Sequence, residues 1–437
     1  MFHRSKCALN PLAKHLFIVS LLSFSGFAIF ATAAQAFGQT STFKVQSARA
    51  YDFLNSEGVN THFATDPPYY QQSAALIARI KALHIRHIRD GLAYYGAPPN
   101  LYAIHSQLAS DGVSADLIVP YPTTAGPTPQ SIEALLPNYP AVEAIEGPNE
   151  YDSVGNGQWV SALLNYLPSI WTVGQDRRVP VFGPSLTQIS SYGALGNVSA
   201  DISDGNYHAY WGGRNPETTG WGGPDASGNY YGSLPYDLDE LAIDSPGRPV
   251  VITETGYFVN NTPSQNIIPE SVEAIYEPRL FLHCWNMGIK RTYVYELMDN
   301  PPSMTFGLLR YDLSPRPAYT ALSTLNSLLA DSSASFTPQT LTYSLSGNTD
   351  GLETTLLQKH DGSFWLAIWE NAAIYDVNAV APIAVSPATV TLSVPQGLLI
   401  KGVWTLNSAG TATSVTVSTS AVKLPIQPAV TLVKISK

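Results

Sequence analysis

Between about residues 55 and 330 the chain passes eight times from a short β-branched or apolar segment to a stretch with helical periodicity. Alternation of this kind builds βα units on a parallel sheet, and it excludes all-helical and all-β folds over that length. The first four predicted strands are Val59 to Phe63, Ile85 to Arg89, Asp116 to Pro120 and Val142 to Glu146. The second four are Val179 to Gly183, Asn206 to Tyr210, Pro249 to Glu254 and Thr292 to Glu296. Between them, Leu76, Ile77, Ile80 and Leu83 share one face of a 3.6-residue period. So do Leu163, Leu164, Leu167 and Ile170, and later Ala318, Leu322, Leu325 and Leu329. The fifth helical region, Ser190 to Ser199, is the least periodic. Pro278 is expected to kink or split the seventh.

Eight such units fit a closed (β/α)8 TIM barrel or an open doubly wound sheet. Polar and acidic residues gather at the C-terminal ends of several strands, where barrels assemble their active sites. No G-x-G-x-x-G follows a strand, and there is no phosphate-binding loop. The barrel is therefore the expected architecture.

Beyond about residue 335 the helical period gives way to alternating Thr, Ser and Val, as in Thr389 to Val394 and Ser414 to Ser418. Asp361-Gly362 lies between two apolar runs and signals a hairpin. This part reads as a small all-β sandwich, to which Thr42 to Ser47 would add a strand. The expected division is 1–36 signal peptide, 37–332 barrel and 333–437 sandwich.

The leader reading rests on Arg4, Lys6 and Lys14, an apolar run from Leu16 to Phe30, and small residues around Ala34-Gln35-Ala36. Cleavage near Ala36 would leave a secreted or periplasmic protein without a membrane anchor. Its net charge would move from −10 to −13 on losing three basic residues. Such acidity disfavours nucleic acid as a partner. Cys7 would leave with the leader, so Cys284, within Phe281-Leu282-His283-Cys284-Trp285, reads as a buried small hydrophobe with no disulfide partner. Hydrophobic residues at 45% against 13% charged provide for a substantial core.

Two carboxylates end predicted strands. Glu146-Gly147-Pro148-Asn149-Glu150-Tyr151 follows the fourth strand; Gly147 and Pro148 turn the chain and bring Asn149 and Glu150 to the mouth. In Val250-Val251-Ile252-Thr253-Glu254-Thr255-Gly256, a β-branched run ends in Glu254. Cleaving a glycosidic bond needs such a pair, one group to protonate the leaving oxygen and, in a retaining enzyme, one to attack the anomeric carbon. A general acid must hold its proton before attack, which closeness to an anionic Glu254 would favour. No His/Cys/Asp cluster has metal-ligand spacing, and no cofactor is expected.

These residues resemble glycoside hydrolase clan A, and within it glycoside hydrolase family 39 and its relatives. The resemblance covers about residues 55 to 330 and extends to the barrel-plus-sandwich organisation. It implies Glu150 as general acid/base, Glu254 as nucleophile and Asn149 as a contact to the sugar 2-hydroxyl. It places Arg89 near the nucleophile, with an ion pair to Asp90 or another barrel residue as the structural alternative, and His208 and Tyr210 beside the nucleophile. Thr255 and the Tyr295-Glu296-Leu297-Met298-Asp299 strand end depart from the common pattern, the latter by lacking a Trp. Trp211 and Glu296 are further substrate-contact candidates, Asn60, His62 and Tyr121 lesser ones. One of Trp211, Trp221, Tyr230 and Tyr231, in a Gly-rich stretch after the sixth strand, is expected to stack on sugar. The expected activity is O-glycosyl hydrolysis of a polysaccharide or oligosaccharide, with β-linked glucose or xylose favoured by family analogy. The alternative is a catalytically silent carbohydrate-binding barrel.

Overall fold

The computed structural model describes residues 40–122, 127–154, 157–260, 266–331 and 335–437; the leader read in 1–36 lies outside them. Eight parallel strands form one sheet: β1 (Glu57–Asn60), β2 (His87–Gly91), β3 (Ser114–Ile118), β4 (Val142–Glu146), β5 (Val181–Phe182), β6 (Gly205–Ala209), β7 (Val250–Thr255) and β8 (Arg291–Val294). Each pairs with its sequence neighbours, and β8 pairs with β1. The remaining gap is closed by a parallel bridge from Phe182 to Asp204, supported by Gly183 N–H donating to the Asp204 carbonyl at 2.9 Å. The sheet is a closed barrel, and each expected strand lies within a few residues of an observed one.

The segment read as the fifth helix forms Ile189–Leu195. Pro278 does not split the seventh helical region: Glu270–Asn286 is one helix with Pro278 inside it. Every residue from Val272 to Cys284 is buried, so packing on both sides outweighs the hydrogen bond that proline removes. Cys284 is buried here, and desolvation pushes its thiol up to about 12.

The sandwich has a four-stranded sheet in the order Thr40–Gln46, Thr340–Gly347, Ala388–Ser393, Ala421–Ile426. Thr40–Gln46 pairs along its whole length with Thr340–Gly347, and its Phe43 and Val45 pack on the sandwich core. Residues 40–46 thus add a strand to the sandwich, as expected for Thr42 to Ser47. The second sheet runs Ala412–Thr419, Leu399–Leu406, Thr431–Ser436, Phe364–Glu370, Leu352–Gln358, Ala48–Arg49. The Asp361-Gly362 hairpin joins two of its strands.

Phe364–Glu370 shows why the two parts share one compact unit. Phe364, Leu366 and Ile368 face the sandwich interior, while Trp365, Ala367 and Trp369 join the barrel's own core. A strand buried on both faces reads as a continuous apolar run, which this one is. At the same junction Glu217, from the loop after β6, accepts two hydrogen bonds from Arg279 and one from Trp369 Nε1 at 2.7 Å. Asn215 Nδ2 donates to the Asn371 carbonyl at 3.0 Å. The β6 loop is thereby tied to the sandwich. Among the described residues no helix is long and apolar enough to cross a membrane.

Arg279 is fully buried, so removing its counter-charge strands a guanidinium in the interior. Glu217→Ala is expected to lower unfolding free energy by about 3 kcal/mol, measured by urea denaturation; a change under about 1 kcal/mol would show that the pair is not a structural tie.

Candidate active site

Arg89, on β2, is the centre of the barrel mouth. Its Nε and Nη2 donate to Glu146 Oε2 and Oε1, both at 2.7 Å. Its Nη1 donates to Asn60 Oδ1 at 2.9 Å and to Glu254 Oε1 at 2.6 Å, and Nη2 also reaches Asn149 Oδ1 at 2.7 Å. The structural alternative, an ion pair with Asp90 or another barrel residue, is met by Glu146 rather than by Asp90. Asp90 instead accepts from Thr61 Oγ1 and the backbone N–H groups of Phe63, Ala64 and Gly91, holding the β1 loop. Asn60 is itself fixed, donating through Nδ2 to the Thr253 carbonyl at 2.9 Å.

Glu254 takes a second donor, Tyr210 Oη, at 3.0 Å. Burial alone would push its carboxyl up. The charges of His208 and Arg89, with hydrogen bonds from Arg89 and Tyr210, more than offset that, and the group is held below the usual Glu value. His208 Nδ1 stands 3.0 Å from Glu150 Oε1 and 3.5 Å from Glu254 Oε2. The histidine expected beside the nucleophile therefore spans both carboxylates and lies closer to Glu150. One carboxylate oxygen of each Glu and a His208 ring nitrogen all lie within 4.8 Å of one another.

The turn that delivers Glu150 is tightly determined. A β-carbon at Gly147 would stand 2.7 Å from the Pro184 backbone nitrogen, so only glycine lets the β4 and β5 loops pass. Glu150 has φ +46, and its N–H donates to the Ser185 carbonyl at 3.1 Å. A non-glycine residue in the left-handed region is uncommon and is held by its surroundings. Its side chain is 33% exposed against 13% for Glu254, leaving one carboxylate in a rigid cage and one open to the cleft.

Below this pair, Asp116 and Glu146 share the buried barrel interior. Desolvation first, and then the Glu146 charge, push Asp116 well above the usual Asp value, while Glu146 pairs with Arg89. Sequence reading quoted Glu146 only as a strand end. An acid at the last position of a barrel strand is the signal that would have marked it.

Glu296 is fully buried rather than lining the cleft; it accepts from Tyr69 Oη at 3.1 Å and stands 3.0 Å from His62 Nε2. His62, Asn60 and Tyr295 line the chamber beside Glu254. Trp211 is corrected: it is 1% exposed and packs in the barrel core rather than facing the cleft. The rings that reach the cleft are Trp221 and Tyr231, while Tyr121 stacks at a tilt on Tyr151.

Two sets of three ligand-type side chains come close enough to hold a cation among the described residues: Glu150, His208 and Glu254, and Glu217, His283 and Glu353. In each, a guanidinium already meets one carboxylate, Arg89 on Glu254 and Arg279 on Glu217.

The fold can now be set beside known proteins. It is similar to the GH39 enzyme from Xanthomonas axonopodis pv. citri, with a TM-score of 0.58 and 14% identity over 90% of this chain and 96% of that one. It is also similar to a monomeric beta-xylosidase from Caulobacter crescentus CB15, with a TM-score of 0.55 and 13% identity over 90% and 98% of the two chains. No protein-family model and no curated protein matches the sequence. The likeness at this identity is one of fold: a barrel of the GH39 kind followed by a β-sandwich.

The folded chain keeps the Asp116 proton at pH values where the unfolded chain has released it. Stability therefore falls as pH rises from about 4 towards the raised folded value. Asp116→Asn is expected to flatten that slope by up to one proton, about 1.4 kcal/mol per pH unit, in urea denaturation across pH. An unchanged slope would mean that Asp116 ionises freely in the folded protein.

Proposed function

We propose that the protein is a retaining glycoside hydrolase, cleaving O-glycosidic bonds by double displacement with Glu254 as nucleophile and Glu150 as general acid/base. The observation that carries this reading is the unequal treatment of two carboxylates whose nearest oxygens approach within 4.8 Å. Retaining enzymes hold their carboxyl groups roughly 5–5.5 Å apart, whereas inverting ones need about 6.5–9.5 Å to admit a water. Glu254 is kept anionic by Arg89, His208 and Tyr210, as a nucleophile requires. Glu150 is the more exposed and lies beside His208, suited to delivering a proton to the leaving oxygen and later taking one from water. Asn149, whose Oδ1 is engaged by Arg89, has its Nδ2 available for a sugar hydroxyl.

The glycone is a neutral sugar in this reading. Among the described residues Arg89 is the only Lys or Arg lining the chamber of about 330 Å³ beside Glu254, and its hydrogen bonds go to protein groups. His62 there is matched with Glu296. A uronic acid carboxylate would meet Glu150, Glu254 and Asp90 with no free cation to offset them. A β linkage, to xylose or glucose, is supported by analogy with the beta-xylosidase of similar fold. The N-terminal pattern supports export, which would put the substrate outside the cytoplasm.

The test is a screen of aryl β-glycosides and oligosaccharides with the first-formed product anomer followed by NMR. Retained configuration, abolished in Glu254→Gln, is the expected outcome. Inverted product, or near wild-type turnover in Glu254→Gln, would overturn it. Since the nucleophile stays ionised below the usual Glu value, the acid limb of kcat/KM should lie lower than that value. Tyr210→Phe removes one donor from the anion; it should move that limb to higher pH and reduce kcat roughly tenfold or more.

A further inference from the structure

A chamber of about 550 Å³ lies among the loops after β6, β7 and β8. Tyr210, which donates to Glu254 at 3.0 Å, forms one wall, and Gly256, two residues beyond Glu254, is part of the lining. Phe258, Ile267, Met304 and Phe306 supply apolar walls, and Asn266 a single amide. Among the described residues that line it none is charged, and Glu150 is not one of them.

The space is open because side chains are missing where the backbone passes close by. Gly213 has φ +78, and a β-carbon there would stand 2.9 Å from Ile268 Cγ2. Gly256 has φ +135, and its β-carbon would stand 2.8 Å from the Tyr295 carbonyl oxygen. Both positions need glycine. The apolar walls are held in place by the backbone. The Ile268 N–H donates to the Phe258 carbonyl at 3.1 Å, and the Asn260 N–H to the Ile268 carbonyl at 3.0 Å. The Val259 N–H donates to the Thr305 carbonyl at 3.0 Å, and the Thr305 hydroxyl donates to the Val259 carbonyl. The Phe258 and Phe306 rings lie 4.9 Å apart, and Phe306 meets Tyr210 edge-on at 6.0 Å. Met304 is 40% exposed, and Phe258, Ile267 and Phe306 are half-buried. Apolar side chains that converge on an open concavity mark a place where an apolar group binds.

We propose that this chamber receives an acyl group esterified to the sugar that Glu254 attacks, so that the substrate is an acylated glycoside. The inference rests on the reading given under Proposed function. The oxygen protonated by Glu150 carries the leaving group, and Glu150 takes no part in this chamber. The sugar held at Glu254 adjoins it instead, through Tyr210 and Gly256. A bare sugar ring suits the lining poorly. Its hydroxyls would lose water and find only the Asn266 amide and a Tyr210 hydroxyl already committed to Glu254. A hydrocarbon group joined through an ester asks for apolar contact and one donor for its carbonyl, which the Asn266 amide supplies. Because the walls are fixed before binding, little freedom is lost when the acyl group enters.

The test sets para-nitrophenyl β-xylosides and β-glucosides against their mono-O-benzoyl derivatives, with the ester placed on each ring hydroxyl in turn. One benzoyl position should raise kcat/KM over the unacylated glycoside by roughly tenfold or more. Met304→Asp should return that ratio to near unity while leaving turnover of the unacylated glycoside unchanged, and Met304→Leu should keep it. Phe258→Ala, which adds no charge, should lower the ratio in the same direction. No preferred position, or a preference that both Met304→Asp and Phe258→Ala leave intact, overturns the proposal. Wild-type protein that cleaves neither series overturns the hydrolase reading instead. In that case calorimetric titration of benzoylated methyl β-glycosides decides the chamber: binding lost in Met304→Asp supports it, and binding unaffected or absent removes it.

Discussion

The site depends on one buried guanidinium. Arg89 is 2% exposed, and an ion so placed survives only if neighbouring anions and acceptors replace the water it has lost. Here Glu146 supplies a bidentate partner, Glu254 a second charge, and Asn60 and Asn149 neutral acceptors. Four barrel strands or their loops are thereby locked to one planar fork. The geometry of Glu254 follows from this locking: its carboxylate can be aimed and held below the usual Glu value because the charge that stabilises it cannot move.

The same need for compensation sets the charge pattern beneath. Two carboxyls face each other in the barrel interior beside Arg89. Desolvation, and then the Glu146 charge, hold Asp116 above the usual Asp value, while Glu146 pairs with the guanidinium that also meets Glu254. A buried acid beneath the cleft is thus linked to Glu254 through a chain of contacts.

The sandwich is more than an appendage. Trp365, Ala367 and Trp369 complete the barrel core, and Trp369 reaches Glu217 at the root of the β6 loop. The loop bearing Trp221 is therefore braced by residues some 150 positions further along the chain.

Much of this was legible in the residues. The period-two and period-3.6 patterns located eight strands, because burial imposes those periods directly on the choice of side chain. Glu150 and Glu254 stood out because each ends a strand beside a chain-turning glycine, and Arg89, Asn149, His208 and Tyr210 were found in the same cleft. Trp211 needed correction: Trp211 and Trp221 are alike in a Gly-rich stretch, and only the path of the loop decides which is buried. Pro278 does not split its helix, because tertiary packing outweighs its local cost. The strand read at Thr42 to Ser47 does join the sandwich, in a sheet whose other strands begin some 300 residues later. Sequence alone determined the elements and the acids at their ends, since those follow from short-range sterics and periodicity. Tertiary structure decided which acid is caged and which is open, which ring meets the cleft, and where His208 reaches. Each of these is set by contacts between distant segments, and no local pattern encodes them.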